Sequence, residues 1–264
     1  MNNLFSLKRF SFLFKKTLFE RPMQMFGFTG LILAVVFIIY AICKSQIGFT
    51  AAQNLSFIWG LAGGGCFLSS FVFGYFSSNA SGSSYLTLPA SHFEKWLCGI
   101  LITGVLYVGI FLLFYRLMDA GFVAMYHKSL DPNGPFYKNR YDAVYQFPFD
   151  GRLANKVYPM FLFFTGSMLT GSLYFNKVGF IKVALSICVL CFGAFGLNWI
   201  IASIIFGHIN NAFPFLMVSI LIGKEEGSVE LPEKASYIYQ YSIDYIVPVI
   251  LWAVAYIRLR EKEF

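Results

Sequence analysis

Residues 183–206 read VALSICVLCFGAFGLNWIIASIIF, and from Val183 to Phe206 there is no Asp, Glu, Lys or Arg. A helix crosses the hydrocarbon core of a bilayer with about 20 mostly apolar residues. Backbone groups in lipid must be satisfied within the structure, which leaves helices or a closed barrel. A barrel strand alternates apolar and polar residues, whereas this run is continuous, so it reads as a helix. Working outward, five further runs have the same character: Phe26–Cys43, Leu55–Phe76, Trp96–Tyr115, Tyr158–Phe175 and Tyr241–Ile257. The expectation is an all-α membrane protein, six transmembrane helices with an N-terminal interfacial helix, forming a single transmembrane domain over residues 1–264.

Composition agrees with that class. Hydrophobic residues make up 58 % of the chain and charged residues 12 %, against about 25 % charged in soluble domains. Little of the chain is left for a separate aqueous domain. The net charge of +7 comes from basic residues beside the spans, where a bilayer protein places them, so no nucleic-acid partner is expected. Cys43, Cys66, Cys98, Cys188 and Cys191 lie in or at the ends of apolar runs, and the long loops hold no disulfide framework. Cys188 and Cys191 form a C-x-x-C without a companion His and read as small packing residues. The basic N-terminus precedes an apolar run too long for a signal core, with no small-x-small cleavage site, so that run is kept as the first span.

Six spans put both termini on one side. That side collects Lys8, Arg9, Lys15, Lys16, Arg21, Lys95, Lys177, Lys182, Arg258, Arg260 and Lys262; the other has Lys44, Lys224, Lys234 and one long segment. Short loops and tails decide orientation, so the termini are placed in the cytoplasm and the chain in the cell inner membrane, multi-pass. Residues 1–22 carry Leu4, Leu7, Phe10, Phe14 and Leu18 at helical spacing, ended by Pro22, and read as an interfacial helix. Residues 116–157 read as a long extracytoplasmic loop whose aromatics form either an interfacial cap or a substrate-contacting surface. Residues 207–240 read as a second extracytoplasmic loop in which Ala212–Ile222, too short to span, is a re-entrant or interfacial helix. The charged tip Lys224–Glu225–Glu226 reads as a solvated turn.

Catalytic signatures are missing. There is no G-x-x-x-x-G-K-[ST], G-x-S-x-G, H-E-x-x-H or D-x-D-x-D-G, and His92, His127 and His208 sit on different loops. No catalytic, cofactor-binding or metal-binding residue is expected, and the chain does not read as an enzyme. Ionisable groups inside spans usually mark function. Asn198 is the clearest interior polar group, read as an interhelical hydrogen-bond partner, with Asp244 near the start of the last span. The lack of buried carboxylates argues against an ion-driven transporter. Gly60–Gly65 contains a G-x-x-x-G, a signal for close helix packing.

The most distinctive local sequence lies between the second and third spans: Ser83-Ser84-Tyr85-Leu86-Thr87-Leu88-Pro89-Ala90-Ser91-His92-Phe93-Glu94-Lys95-Trp96-Leu97. Pro89 ends one element, Ser91 can cap the next, and Ser91 with Glu94 makes an S-x-x-E capping box. This segment resembles the L-P-A-S-x-x-E-K-[FW]-L loop of the permease subunits of bacterial ABC-type exporters of the short six-span class. The tail Ile257-Arg258-Leu259-Arg260-Glu261-Lys262-Glu263-Phe264 resembles theirs more weakly. The resemblance implies a coupling loop that docks on a separate cytoplasmic ATP-binding subunit through Leu88, Pro89, Ala90, Ser91, Phe93 and Glu94. It also implies a homo- or heterodimer of permease subunits, with ATP held by the partner and no cofactor in this chain. The 116–157 segment is longer than the outer loop usual in that class. Few charges and many aromatics favour a hydrophobic or amphipathic cargo. A reading from another class stands beside it: a non-transporting membrane scaffold or sensor subunit whose outer loop binds a partner.

Overall fold

The computed structural model describes residues 5–262 apart from Arg21, Ser78, residues 176–178, His208, Phe215 and residues 223–224. Leu4, Arg21, Lys177, His208, Lys224, Glu263 and Phe264, named above, lie outside the described residues. Of the described residues, 80 % are helical. A first helix, α1, spans Leu7–Glu20. It is followed by α2 (Met25–Gln46), α3 (Phe49–Val72) and α4 (His92–Lys128). Then come α5 (Arg152–Tyr174), α6 (Gly179–Phe206) and α7 (Glu233–Arg260). Five of these, α2, α3, α4, α6 and α7, are long and apolar enough to cross a membrane, and the chain is a helical membrane protein.

Helix α5 covers the run expected as the fourth span but is not among those five. It is the helix most enclosed by protein, packed against α3, α6 and α7, with Thr165, Gly166, Ser167, Thr170 and Ser172 all buried. Lipid supplies no hydrophobic drive between helices, so close backbone approach and hydrogen bonds hold them together. The Thr170 hydroxyl donates to the Leu251 carbonyl at 2.7 Å. The Trp96 indole donates to the Trp252 carbonyl at 2.9 Å, and the Trp252 indole to the Leu162 carbonyl at 3.2 Å. These bonds tie α4 to α7 and α7 to α5.

The glycine run in α3 packs as its spacing suggests. A Cβ on Gly64 would meet the Tyr107 hydroxyl of α4, and one on Gly60 would meet the Phe111 ring. The Tyr107 hydroxyl instead donates to the Gly60 carbonyl, inside a π-helical turn, Trp59–Gly63. On α1 the protein-facing side is Leu13, Thr17 and Leu18, with Phe10 and Phe14 partly covered. Leu7, expected in that stripe, is exposed together with Phe12 and Phe19.

Three expectations are corrected. First, the segment 116–157 is not all loop: α4 runs on to Lys128. The apolar run stops at Tyr115 because Arg116 and Asp119 are charged, but both are accommodated within the fold. Asp119 is buried and hydrogen-bonded, and the Arg116 guanidinium lies 4.3 Å from the Phe149 ring centre. Beyond a short helix, Tyr137–Asp142, the chain returns through Phe147, which is buried against Phe57 with ring centres 4.5 Å apart. Second, the chain is not all-α, and Ala212–Ile222 is not a re-entrant helix. β1 (Ile209–Phe213), β2 (Met217–Ile222) and β3 (Glu225–Glu230) form an antiparallel sheet in the order β1-β2-β3. A short apolar run fits strand or helix equally by periodicity alone; here β2 is paired along both edges, which satisfies its backbone without a helix. Third, Cys188 and Cys191 are exposed on α6 rather than packed.

Because a Cβ on Gly64 would run into the Tyr107 side chain of α4 and the Ile32 side chain of α2, Gly64→Leu should lower stability in detergent by about 1–3 kcal/mol through overpacking. Gly193→Ala, where a Cβ meets nothing within 4 Å, should leave the thermal transition unchanged. A thermal melt followed by loss of monodisperse protein checks the pair.

Candidate functional site

The loop from Ser83 to Lys95 joins α3 to α4 at the end of the bundle where α1 lies and where the chain finishes. Ser91 caps α4: its hydroxyl accepts the Glu94 backbone N–H at 3.1 Å, and its own N–H donates to Glu94 Oε2 at 2.8 Å. Both halves of the capping box are therefore formed. Two orphan donors at the helix start are satisfied from within the loop.

Glu94 does more than cap. Its other oxygen, Oε1, accepts the Ser6 backbone N–H at 2.7 Å and the Arg9 guanidinium at 3.1 Å. The Glu94 side chain is 0 % exposed while Arg9 keeps 38 %. One carboxylate thus fixes the start of α1 to the start of α4. Next to it Lys95, 1 % exposed, turns the other way. Its ammonium donates to the Leu86 carbonyl at 2.9 Å and lies 5.6 Å from the Tyr85 ring centre. Leu86 is the last residue of a short helix, Asn79–Leu86, so the cation sits where a helix end carries partial negative charge.

Between these anchors the loop is presented outward. Thr87 and Pro89 are exposed, and Leu88, Ala90, Ser91 and Phe93 are partly so. Leu88, Pro89 and Ala90 meet Phe12, Leu13, Arg9 and Lys16 of α1 around a cavity of about 220 Å³. Its wall is apolar with two cations at the margin. Phe93 turns inward, its ring centre 6.2 Å from that of Tyr256 in α7 and 5.7 Å from that of Trp96. Of the six residues expected to meet a partner, the structure brings Leu88, Pro89 and Ala90 to one surface. Glu94 is corrected: it lies buried under α1 and presents no surface of its own to a partner, holding the loop in shape instead.

The C-terminal tail closes the same end. Lys262 donates to the Leu173 carbonyl at 2.8 Å, and its ammonium lies 5.7 Å from the Phe76 ring centre. Burial lowers the Lys262 ammonium below the usual lysine range, and Arg258 adds to the effect.

At the opposite end stands a group the sequence reading missed. Asp119 of α4 is 1 % exposed, so a carboxylate is buried after all, contrary to the argument from their absence. Its Oδ1 accepts the Tyr40 hydroxyl at 2.7 Å and the Gln53 amide at 2.9 Å; its Oδ2 accepts the Phe147 backbone N–H at 2.7 Å. The Gln53 amide also donates to the Tyr145 carbonyl at 2.8 Å. Helices α2, α3, α4 and the returning chain meet at this one side chain. Asn198, the interior polar residue that was expected, is buried on α6 beside a cavity under the sheet. Among the described residues no group of three or more His, Cys, Asp or Glu could hold a metal ion.

Comparison with protein-family models, with curated proteins and with solved structures finds no match to this chain.

Two substitutions separate the roles of the carboxylates. Glu94→Ala strands two backbone donors and a guanidinium, which should cost about 2–3 kcal/mol. Hydrogen exchange of the α1 amides, measured by mass spectrometry, should then accelerate while the core of α5 stays protected. Asp119→Asn must aim an amide N–H at one of three donors. A loss of about 1–3 kcal/mol is expected, with faster exchange confined to residues 143–149 and the facing turns of α2 and α3.

Proposed function

We propose that this chain is the permease subunit of an ATP-driven ABC-type export system. In this reading α5 is a sixth span, wrapped by its neighbours, and both termini face the cytoplasm of a bacterial cell across its inner membrane. Lys8, Lys15, Lys16, Lys182, Arg258, Arg260 and Lys262 gather at the end occupied by α1 and the tail, as the positive-inside rule requires of a cytoplasmic face.

The observation that carries the proposal is the rigid, outward Leu88-Pro89-Ala90 tip, held from behind by Glu94 and Lys95. A loop that transmits force must not yield under load. Two buried, oppositely charged side chains turned to opposite sides stiffen this one. The ATP-binding subunit would seat an apolar knob with acidic neighbours against Leu88, Pro89, Phe12, Arg9 and Lys16. Closure of the ATPase pair then moves the tip, and α1 moves with it through Arg9 and Glu94. Two permease copies and two ATPases make the working unit. The permease supplies the path and its partner the nucleotide chemistry, so no cofactor belongs to this chain. The cargo class that fits the apolar spans is hydrophobic or amphipathic.

The test is affinity purification of the tagged chain in mild detergent with mass spectrometry of what accompanies it. A stoichiometric ATP-binding subunit is expected, and its recovery should fall at least about tenfold in Leu88→Glu and Ala90→Glu, roughly 1.4 kcal/mol of contact energy. Membrane levels of the chain should not change. Equal recovery with parent and variants would remove the coupling role. Absence of any ATPase from the intact parent would favour a scaffold or sensor that works through its outer segments.

A further inference from the structure

A second cavity, of about 640 Å³, opens at the opposite end of the bundle between α6, the sheet and the start of α7. Phe213, Met217, Val218 and Val229 of the sheet and Ala235 of α7 supply its apolar wall. Its size lies in the range of small-molecule sites, about 300–1,000 Å³. The cleft is open to what lies beside it, and its largely apolar wall gains dispersion contacts from an apolar occupant. An occupant is therefore expected, and it must be one that the surroundings supply.

The surroundings are lipid. Helix α6 is apolar along its length, and Ile181, Leu185, Leu190, Phe192, Leu197 and Ile204 are all exposed. The exposed apolar surface, which runs nearly all round α6, reaches the cavity wall at Phe195, whose ring centre lies 5.9 Å from that of Phe213. The apolar run of α6 ends at Phe206 and the sheet begins at Ile209, so the cavity lies at the depth where acyl chains give way to headgroups. The rim selects among headgroups. Glu230 is the one charged residue among the described lining residues, and it is exposed. An anionic headgroup would be repelled there, and an ammonium group would be attracted.

We propose that this cavity holds one acyl chain of an amine-headed phospholipid of the bilayer, with Glu230 facing the ammonium. The site does not depend on the ATP-coupled reading; it requires only that the chain lie in a membrane. The lipid would fill the space beneath the sheet and fasten the sheet to the membrane surface.

The test uses the full chain, extracted from vesicles of equal phosphatidylethanolamine and phosphatidylglycerol and examined by native mass spectrometry. The parent should retain one phosphatidylethanolamine in preference to phosphatidylglycerol, by about tenfold, as expected for one favourable charge contact of roughly 1.4 kcal/mol. Glu230→Gln, at the exposed rim, should keep the adduct and lose the preference. Ala235→Trp and Val218→Trp fill the cavity from opposite walls and should each remove the adduct, with a thermal melt confirming that the chain remains folded. Because Glu230→Gln leaves the wall untouched, it decides the headgroup claim even if both tryptophan variants unfold. Equal retention of the two lipids by the parent, or an unchanged adduct in a folded tryptophan variant, would overturn the proposal.

Discussion

A carboxylate taken out of water has to be met by donors, and helix α4 carries two of them. Glu94 lies in its first turn and Asp119 lies 25 residues later, roughly 37 Å along a helix. The hydrocarbon core of a bilayer is about 30 Å thick, so the two charges fall just outside its two faces. Each gathers what the apolar contacts alone would leave loose. Glu94 collects the start of α1, and Asp119 collects α2, α3 and the chain returning toward α5. From Trp96 to Tyr115 the helix carries no charged residue; it is fixed there by packing, by the Trp96 indole on the Trp252 carbonyl and by the Tyr107 hydroxyl on the Gly60 carbonyl. Helix α4 is a rod pinned at both ends, and it stands beside α5, the helix that its neighbours enclose.

Different physical signals made different parts of this molecule legible. The membrane helices are written in their own composition, because each must be apolar wherever lipid touches it. The capping box was legible for a similar reason: Ser91 and Glu94 are three residues apart, and the geometry of a helix start brings them together whatever the rest of the chain does. The second and third donors to the Glu94 carboxylate could not be read, since Ser6 and Arg9 are 88 and 85 positions away. Asp119 was misplaced by the same property that makes it important. A charge ends an apolar run on any hydropathy count, yet here three neutral donors let it sit inside the fold. Helix α5 is the reverse case: the protein surrounds it, so serine, threonine and glycine are permitted where lipid would have selected leucine. The sheet was missed because a short run such as Met217–Ile222 has the same apolar content in either structure. The pairing partners that decide the matter are themselves short, and polar at Asn210, Asn211, Glu225 and Glu226.

The two cavities are unlike in position and in kind. The smaller lies at the basic end between α1 and the loop tip, with cations at its margin. The larger lies at the far end with a glutamate at its rim. A polypeptide surface suits the first, which is bordered by the loop tip and α1. A flexible hydrocarbon chain suits the second, which is the more open of the two and whose walls come from α6, the sheet and α7. The charges that border the two cavities are therefore of opposite sign at opposite ends of the bundle.

The contact between Ser6 and Glu94 has a consequence for how this protein can change over generations. Ser6 takes part only through its main-chain N–H, so the bond survives any side chain at that position and is abolished by proline alone. Arg9, Ser91 and Glu94 contribute side chains and are bound to one another's chemistry. A lineage could rewrite position 6 freely without loosening α1, and a column of unrelated letters there would conceal one of the tightest joints in the molecule.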